Sequence, residues 1–277
     1  ACGGSASPMW GAPAVLLQFW AVHDLLWRLA HFLAGRTAAR AACLAAAACP
    51  LLNWSILLGQ ETGFTTLALL GLVYALGRGR REPGMAWPVL AGIFATLGAS
   101  AREYGVVFPV FGLLGLVAMR SSWRNISLFL VAGVPLCAAW LARCTVLTGN
   151  PFYSLAGALF PTNELFSLWR QHDRELYGLP LGTADAWWEI LRLITLLAPT
   201  AFLGWLALAI QREFRHALLW SGAALFLGLW WVSVPYTSGG LFYSMRVASP
   251  AFALGVIGAG MMIARLPTRV GGPALAA

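Results

Sequence analysis

Glu61 sits in the stretch Leu58-Gly59-Gln60-Glu61-Thr62-Gly63, between two long apolar runs, Ala41 to Leu57 and Phe64 to Leu76. A carboxylate in such a setting is costly, so it either faces water or performs a task. Three further clusters carry groups suited to an anionic or hydroxyl-bearing ligand. Arg102-Glu103-Tyr104 is a tight turn presenting a guanidinium, whose planar fork bonds phosphate oxygens in pairs. Tyr236 to Arg246 is a Gly-rich, aromatic turn that closes on Tyr243 and Arg246. The connection from Thr148 to Ala186 holds Asn150, Tyr153 and the adjacent pair His172-Asp173. Each has a plainer alternative: an interfacial charge pair with a belt tyrosine for residues 102–104, a helix anchor for Arg246, and a solvated face for His172-Asp173, since neighbours on a helix point apart.

What must position these groups is a set of membrane helices. The 277 residues are 60% hydrophobic and 10% charged, with a mean hydropathy of +0.74 and a net charge of +8 carried by arginines alone. Apolar runs recur along the whole length, which excludes a soluble domain with one anchor, and they are continuous rather than alternating, which excludes a β-barrel. The expected fold is all-α: one polytopic bundle over residues 1–277, with spans at about 12–35, 38–58, 63–78, 86–100, 104–119, 126–146, 187–210, 216–233 and 247–264. Alternate connections hold Arg36 and Arg40, Arg78, Arg80 and Arg81, Arg120 and Arg124, Arg212 and Arg215, and Arg265 and Arg269, against Glu82 and Glu213 alone. The positive-inside rule makes that side cytoplasmic, with residue 1 outside and the C-terminus inside. Every candidate group then falls on the outer face.

Within the 148–186 connection, Thr162-Asn163-Glu164 resembles a helix start, followed by Leu165, Leu168, Trp169, His172 and Leu176 at helical spacing. This predicts an amphipathic helix lying on the surface with Arg170, Asp173, Arg174 and Glu175 toward water. The first span carries a polar stripe, Gln18, His23, Asp24, Arg28 and His31, in which Asp24 and Arg28 are four apart and can pair. That stripe is either an internally neutralised pair that locks the helix to its neighbours or part of an ion path. Of the five cysteines, Cys43, Cys49, Cys137 and Cys144 lie in apolar runs, so they read as small packing residues without disulfides. The Asn53 and Asn125 triplets lie in a span and at the cytoplasmic edge, which excludes glycan sites.

Asn53 to Trp123 resembles the bacterial membrane glycosyltransferases of the GT-C superfamily. The likeness rests on Leu57-Leu58-Gly59-Gln60, Arg78-Gly79-Arg80, Leu90-Ala91-Gly92-Ile93, Gly98, Arg102, Pro109 and Trp123-Arg124. The Gly-Gln turn is similar to the polyprenol-phosphate mannosyltransferases. Thr148-Gly149-Asn150-Pro151-Phe152-Tyr153 and the run from Tyr243 to Pro250 are similar to protein O-mannosyltransferases and the aminoarabinose transferase. The resemblance implies sugar transfer from a polyprenyl-phosphate donor on the periplasmic face of a bacterial plasma membrane. Its partners are that donor and membrane lipid, not nucleic acid. It gives Glu61 the catalytic position, Arg102 and Arg246 the donor phosphate, and Gln60, Glu103, Tyr104, Asn150, Tyr153, His172, Asp173 and Tyr243 places around the substrate. The family's principal catalytic aspartate lies in a first outer loop, yet residues 1 to 23 hold no acid. The expectation is a chain that begins after that loop, the alternative being Glu61 in the aspartate's place. No cofactor is expected, and no clustered His, Asp or Glu spacing argues for a metal. The rivals are a transporter or lipid flippase working through the Asp24–Arg28 stripe, and a non-catalytic scaffold subunit.

Overall fold

The computed structural model describes residues 11–58, 61–82, 84–101, 103–152, 160, 164–178, 183–210, 214–233 and 240–266, and among them every regular element is helical. Two helices are long and apolar enough to cross a membrane by themselves, 123–148 and 240–263, or up to four spans if each of two bent pairs counts as one. The nine continuous spans read from hydropathy are therefore not matched one for one. Several of the remaining helices are shorter than the roughly 20 residues that cross hydrocarbon.

The first two expected spans show where the difference arises. Helix α1 (Gly11–Ala47) is interrupted at Gly35, whose φ of 85° and ψ of −176° only glycine adopts readily. The chain thus turns where a connection at residues 36–37 was expected. It then breaks again before α2 (Pro50–Leu57), and the two axes meet at 74°. Proline starts a helix well because the amide hydrogen it lacks has no partner there. Asn53 closes the break by donating to the carbonyl of Ala46 at 2.9 Å, one of the orphan acceptors at the end of α1.

Helices α3 (Glu61–Arg81), α4 (Ala86–Ala101), α5 (Val107–Ala118) and α6 (Trp123–Thr148) follow as an antiparallel series. Gly71 of α3 meets Phe94 of α4, Gly98 of α4 meets Phe108 of α5, and Gly92 of α4 meets the Phe129 carbonyl of α6. The amphipathic helix expected within the 148–186 connection is present as α7 (Glu164–Tyr177). The span expected at 187–210 is instead α8 (Ala184–Leu197) and α9 (Pro199–Ile210), bent by 104° at Ala198-Pro199. Helix α10 (Phe214–Ser233), the short α11 (Gly240–Ser244) and α12 (Ser249–Ile263) complete the chain.

The centre of the bundle is α12, in which every residue from Ser249 to Met261 is buried. It is lined with small residues, and a Cβ on Gly204 of α9 would run into the carbonyl of Gly255. Such close approach of backbones is how helices associate when lipid offers no hydrophobic contrast. At the other extreme α6 is mostly uncovered, with Val146 84% exposed, as a lipid-facing helix should be.

Contacts also set direction. Gln18 of α1 lies against Gly63 at the start of α3, while Phe32 lies against Gly77 near its end. Thr66 of α3 bonds Ser249 at the start of α12, and Gly260 near the end of α12 meets Ala38 and Ala42. The first part of α1, α3 and α12 therefore run parallel, from an end bearing Glu61 and Arg246 to an end bearing Arg78, Arg80, Arg81 and Arg265.

Candidate functional site

At the acid-bearing end, Glu61 opens the first turn of α3, where the unsatisfied amides of a helix start favour a negative charge. Arg246 comes from a 3₁₀ turn, Met245–Ala248, that leads directly into α12. The two helices are pinned side by side by hydroxyls. Thr66 and Ser249 share a hydrogen bond at 2.9 Å, and Ser249 also donates to the carbonyl of Thr62 at 3.3 Å. Neighbouring hydroxyls spend themselves on carbonyls too: Ser55 on Leu51, Thr62 on Ser55, Thr65 on Thr62. This is a firm base for the groups above it.

On that base Arg246 Nη1 donates to Glu61 Oε1 at 3.0 Å, joining positions 185 residues apart in sequence. The arginine side chain is 11% exposed and the carboxylate 29%, so the pair sits at a boundary that solvent still reaches from the glutamate side. The Arg246 guanidinium lies 4.1 Å from the centre of the Tyr243 ring, a stacking that holds the fork in one plane. Trp54 at the end of α2 closes the wall, edge-on to Tyr243 at 6.3 Å and against Phe242 at 4.4 Å. Trp230 of α10 donates to Ser244 at 3.0 Å and fixes α11.

Of the residues picked from the sequence, Glu61, Arg246 and Tyr243 are thus brought together. Gln60, Arg102 and Tyr153 lie outside the described residues, as does the side chain of Glu103, whose backbone opens a 3₁₀ turn (Glu103–Val106). Tyr104 of that turn is half-buried and packs edge-on against Phe226 of α10 at 6.4 Å. Asn150 is fully buried and its side-chain oxygen accepts from the amide of Phe152 at 2.8 Å, which holds the turn after α6. His172 is exposed on α7 whereas Asp173 is 7% exposed, and no hydrogen bond joins either to the Glu61–Arg246 pair among the described residues.

Asp173 also corrects an expectation. It was placed toward water and is buried, while Leu165, Leu168, Trp169 and Leu176 are exposed. Arg174 and Glu175 of the same set are exposed as expected, so the inward turn is confined to Asp173, and the exposed apolar residues form the face that an amphipathic helix offers to lipid. The sequence reading missed Trp54, Thr66 and Ser249. Only the position of Trp54 at a span end hinted at a role, because hydroxyl pairing between helices leaves no periodic trace. Among the described residues no group of three His, Cys, Asp or Glu is placed to hold a metal ion.

Residues 12–143 match the family model of dolichyl-phosphate-mannose-protein mannosyltransferases, which supports placement in the GT-C glycosyltransferase superfamily. The matched stretch contains Glu61 and Arg102, while Arg246 and Tyr243 lie beyond it. No curated protein and no solved structure matches the chain.

Proposed function

We propose that this chain, a membrane glycosyltransferase of the GT-C type by its family match, moves a sugar from a polyprenyl-phosphate donor to an acceptor hydroxyl at the periplasmic face. The observation that carries the reading is the Glu61–Arg246 pair, a carboxylate and a guanidinium held together where an apolar bundle meets water. In the proposed step the acceptor oxygen attacks the anomeric carbon and its proton passes to Glu61. The bond from that carbon to the phosphate oxygen breaks, and the departing phosphate keeps the electron pair. Charge grows on the phosphate as it leaves, so fixed cations lower the barrier. Arg246 supplies one and Arg102, in the same matched stretch as Glu61, supplies the second. A guanidinium stacked on Tyr243 is already oriented for this task, so little is lost in ordering it. At rest Arg246 faces Glu61. The donor phosphate competes for the guanidinium and leaves the carboxylate free to accept a proton.

The remaining candidates, Gln60, Glu103, Tyr104, Asn150, Tyr153, His172 and Asp173, stand as proposals for positions around the substrate. The helical directions and the arginine-rich end support a nine-pass chain with short, tilted and broken spans, its C-terminus cytoplasmic. The test is transfer of labelled sugar from a polyprenyl-phosphate donor by the full-length gene product. Glu61→Gln should lower turnover by about 10²- to 10⁴-fold, the usual contribution of a positioned base. Turnover unchanged in Glu61→Gln and in Arg102→Ala would remove the site assignment.

A further inference from the structure

A second charged site lies at the opposite end, between the first part of α1 and the last turns of α3. Asp24, Arg28 and His31 line one wall of a cavity of about 480 Å³, and Tyr74 and Arg78 line the other, with Phe32 between them. Three members of the polar stripe of the first span, Asp24, Arg28 and His31, thus face one groove.

The two arginines are held differently. Arg78 is caged, its guanidinium 4.9 Å from the Trp87 ring centre, 5.5 Å from Phe32 and 5.7 Å from Tyr74. One terminal nitrogen reaches Glu82 at 2.7 Å and the other the Tyr74 hydroxyl at 3.4 Å, while its buried Nε donates to nothing among the described residues. Among the described residues Arg28 spends only Nε, on Asp24 at 2.6 Å, and its side chain is 57% exposed, which leaves both terminal nitrogens to donate there. At the rim Arg81 stacks on Phe32 at 4.2 Å and donates to the Phe32 carbonyl. The guanidiniums of Arg28, Arg78 and Arg81 against the carboxylates of Asp24 and Glu82 leave one net positive charge, before His31 is counted.

We propose that this groove binds a phosphate oxyanion, and that its natural source is the head group of an anionic lipid. One phosphodiester neutralises the residual charge of the lining. The open terminal nitrogens of Arg28 match phosphate oxygens in pairs. The groove runs from Asp24, partway along α1, to Arg78 in the last turn of α3, which also carries Arg80 and Arg81, so its mouth opens at the arginine-rich end, at head-group depth. Basic pockets between helices at that level are where anionic head groups are taken up. A pair serving only to neutralise Asp24 would need neither the open volume nor the caged second arginine. The inference stands on this geometry and does not depend on the transferase reading.

The test uses the full chain in detergent, titrated with phosphatidylglycerol, with diacylglycerol of the same tails, and with inorganic phosphate, and read by native mass spectrometry. Phosphatidylglycerol should be retained saturably and diacylglycerol should not. Arg28→Gln should weaken retention about fivefold, the factor expected for one arginine near an anionic surface. Asp24→Asn, which frees Arg28, should strengthen it by a similar factor, a direction that simple loss of folding cannot produce. Inorganic phosphate that binds alone and displaces the lipid identifies a soluble phosphate as the source, whereas phosphate that does neither identifies the lipid. Diacylglycerol bound as tightly as phosphatidylglycerol, or both variants bound like the parent chain, overturns the proposal.

Discussion

Breaking the Glu61–Arg246 pair should show how far it holds α3 to α12, apart from anything it does in catalysis. The contact is 3.0 Å long, with the arginine 11% and the glutamate 29% exposed. Two unit charges about 4 Å apart attract by roughly 4 kcal/mol at the effective dielectric near a protein surface. Burial of the arginine offsets much of that, and solvent at the glutamate screens more, so the net value falls between exposed pairs, about 0.2–1 kcal/mol, and buried ones, about 3–5 kcal/mol when one partner is lost. We expect a coupling of about 1–2 kcal/mol, above the roughly 0.6 kcal/mol average for polar contacts between membrane helices. The measurement is a double-mutant cycle with Glu61→Gln, Arg246→Met and the double variant, scored by reversible unfolding in mixed micelles. Arg246→Met should cost more than Glu61→Gln, because it also removes the stacking on Tyr243, about 0.5–2 kcal/mol. A coupling indistinguishable from zero would mean that the pair contributes nothing to docking α12 on α3, and the argument that a pre-set pair awaits the donor would fall with it.

Two glycines separate backbone strain from crowding, both read by the fraction of protein staying monodisperse after heating. Gly35→Ala should cost about 1–3 kcal/mol purely through its backbone, since φ 85° with ψ −176° is a region nearly closed to residues with a side chain while a Cβ there meets nothing within 4 Å, and Gly35→Asn should cost as much, because the left-handed helical region that asparagine tolerates lies at a different ψ. Gly204→Ala should cost a similar amount, about 1–3 kcal/mol, because its Cβ meets the Gly255 carbonyl, a backbone group that cannot swing aside, and wild-type heat resistance there would show that α9 and α12 pack differently.

Much of the architecture was legible because it depends on composition and charge, which the chain displays openly. The helical membrane class, the clustering of Arg78, Arg80 and Arg81 at one end and the helix at 164–177 all follow from local runs of residues. So does the grouping of Glu61 with Arg246, since the arginine-rich connections leave both on the other side of the bundle. Direction was not legible. Hydropathy summed over a window does not register that Gly35 turns the backbone or that the chain bends by 104° at Ala198-Pro199. Apolar residues read alike whether they face lipid or protein, so nothing in the run from Ser249 to Met261 separated the buried core of the bundle from the exposed α6. The Arg78 cage was hidden for another reason: Phe32, Tyr74 and Trp87 come from three helices, and no spacing along the sequence brings them together.

The distribution of polar groups along α1, α3 and α12 bears on what such a bundle can do. Glu61 and Arg246 hold one end, and a second set runs from Asp24 and Arg28, partway along α1, to Arg78 and Arg81 at the other. Toward the first end the polar groups of the α2–α3–α12 contact are hydroxyls, and they are committed to carbonyls or to one another. Gln18 serves the same purpose, its side-chain oxygen accepting from the amides of Gly63 and Phe64. A carrier moves its cargo past groups that exchange partners at mid-membrane, and half-helices usually present them there. Groups locked into helix-to-helix bonds offer no such exchange without loosening the bundle. A reaction run at one rim needs the opposite: a rigid floor and a charged pair whose partners change only when substrate arrives. The seam between α3 and α12 has that form, and it is the physical reason for preferring chemistry at the Glu61 end to passage through the centre.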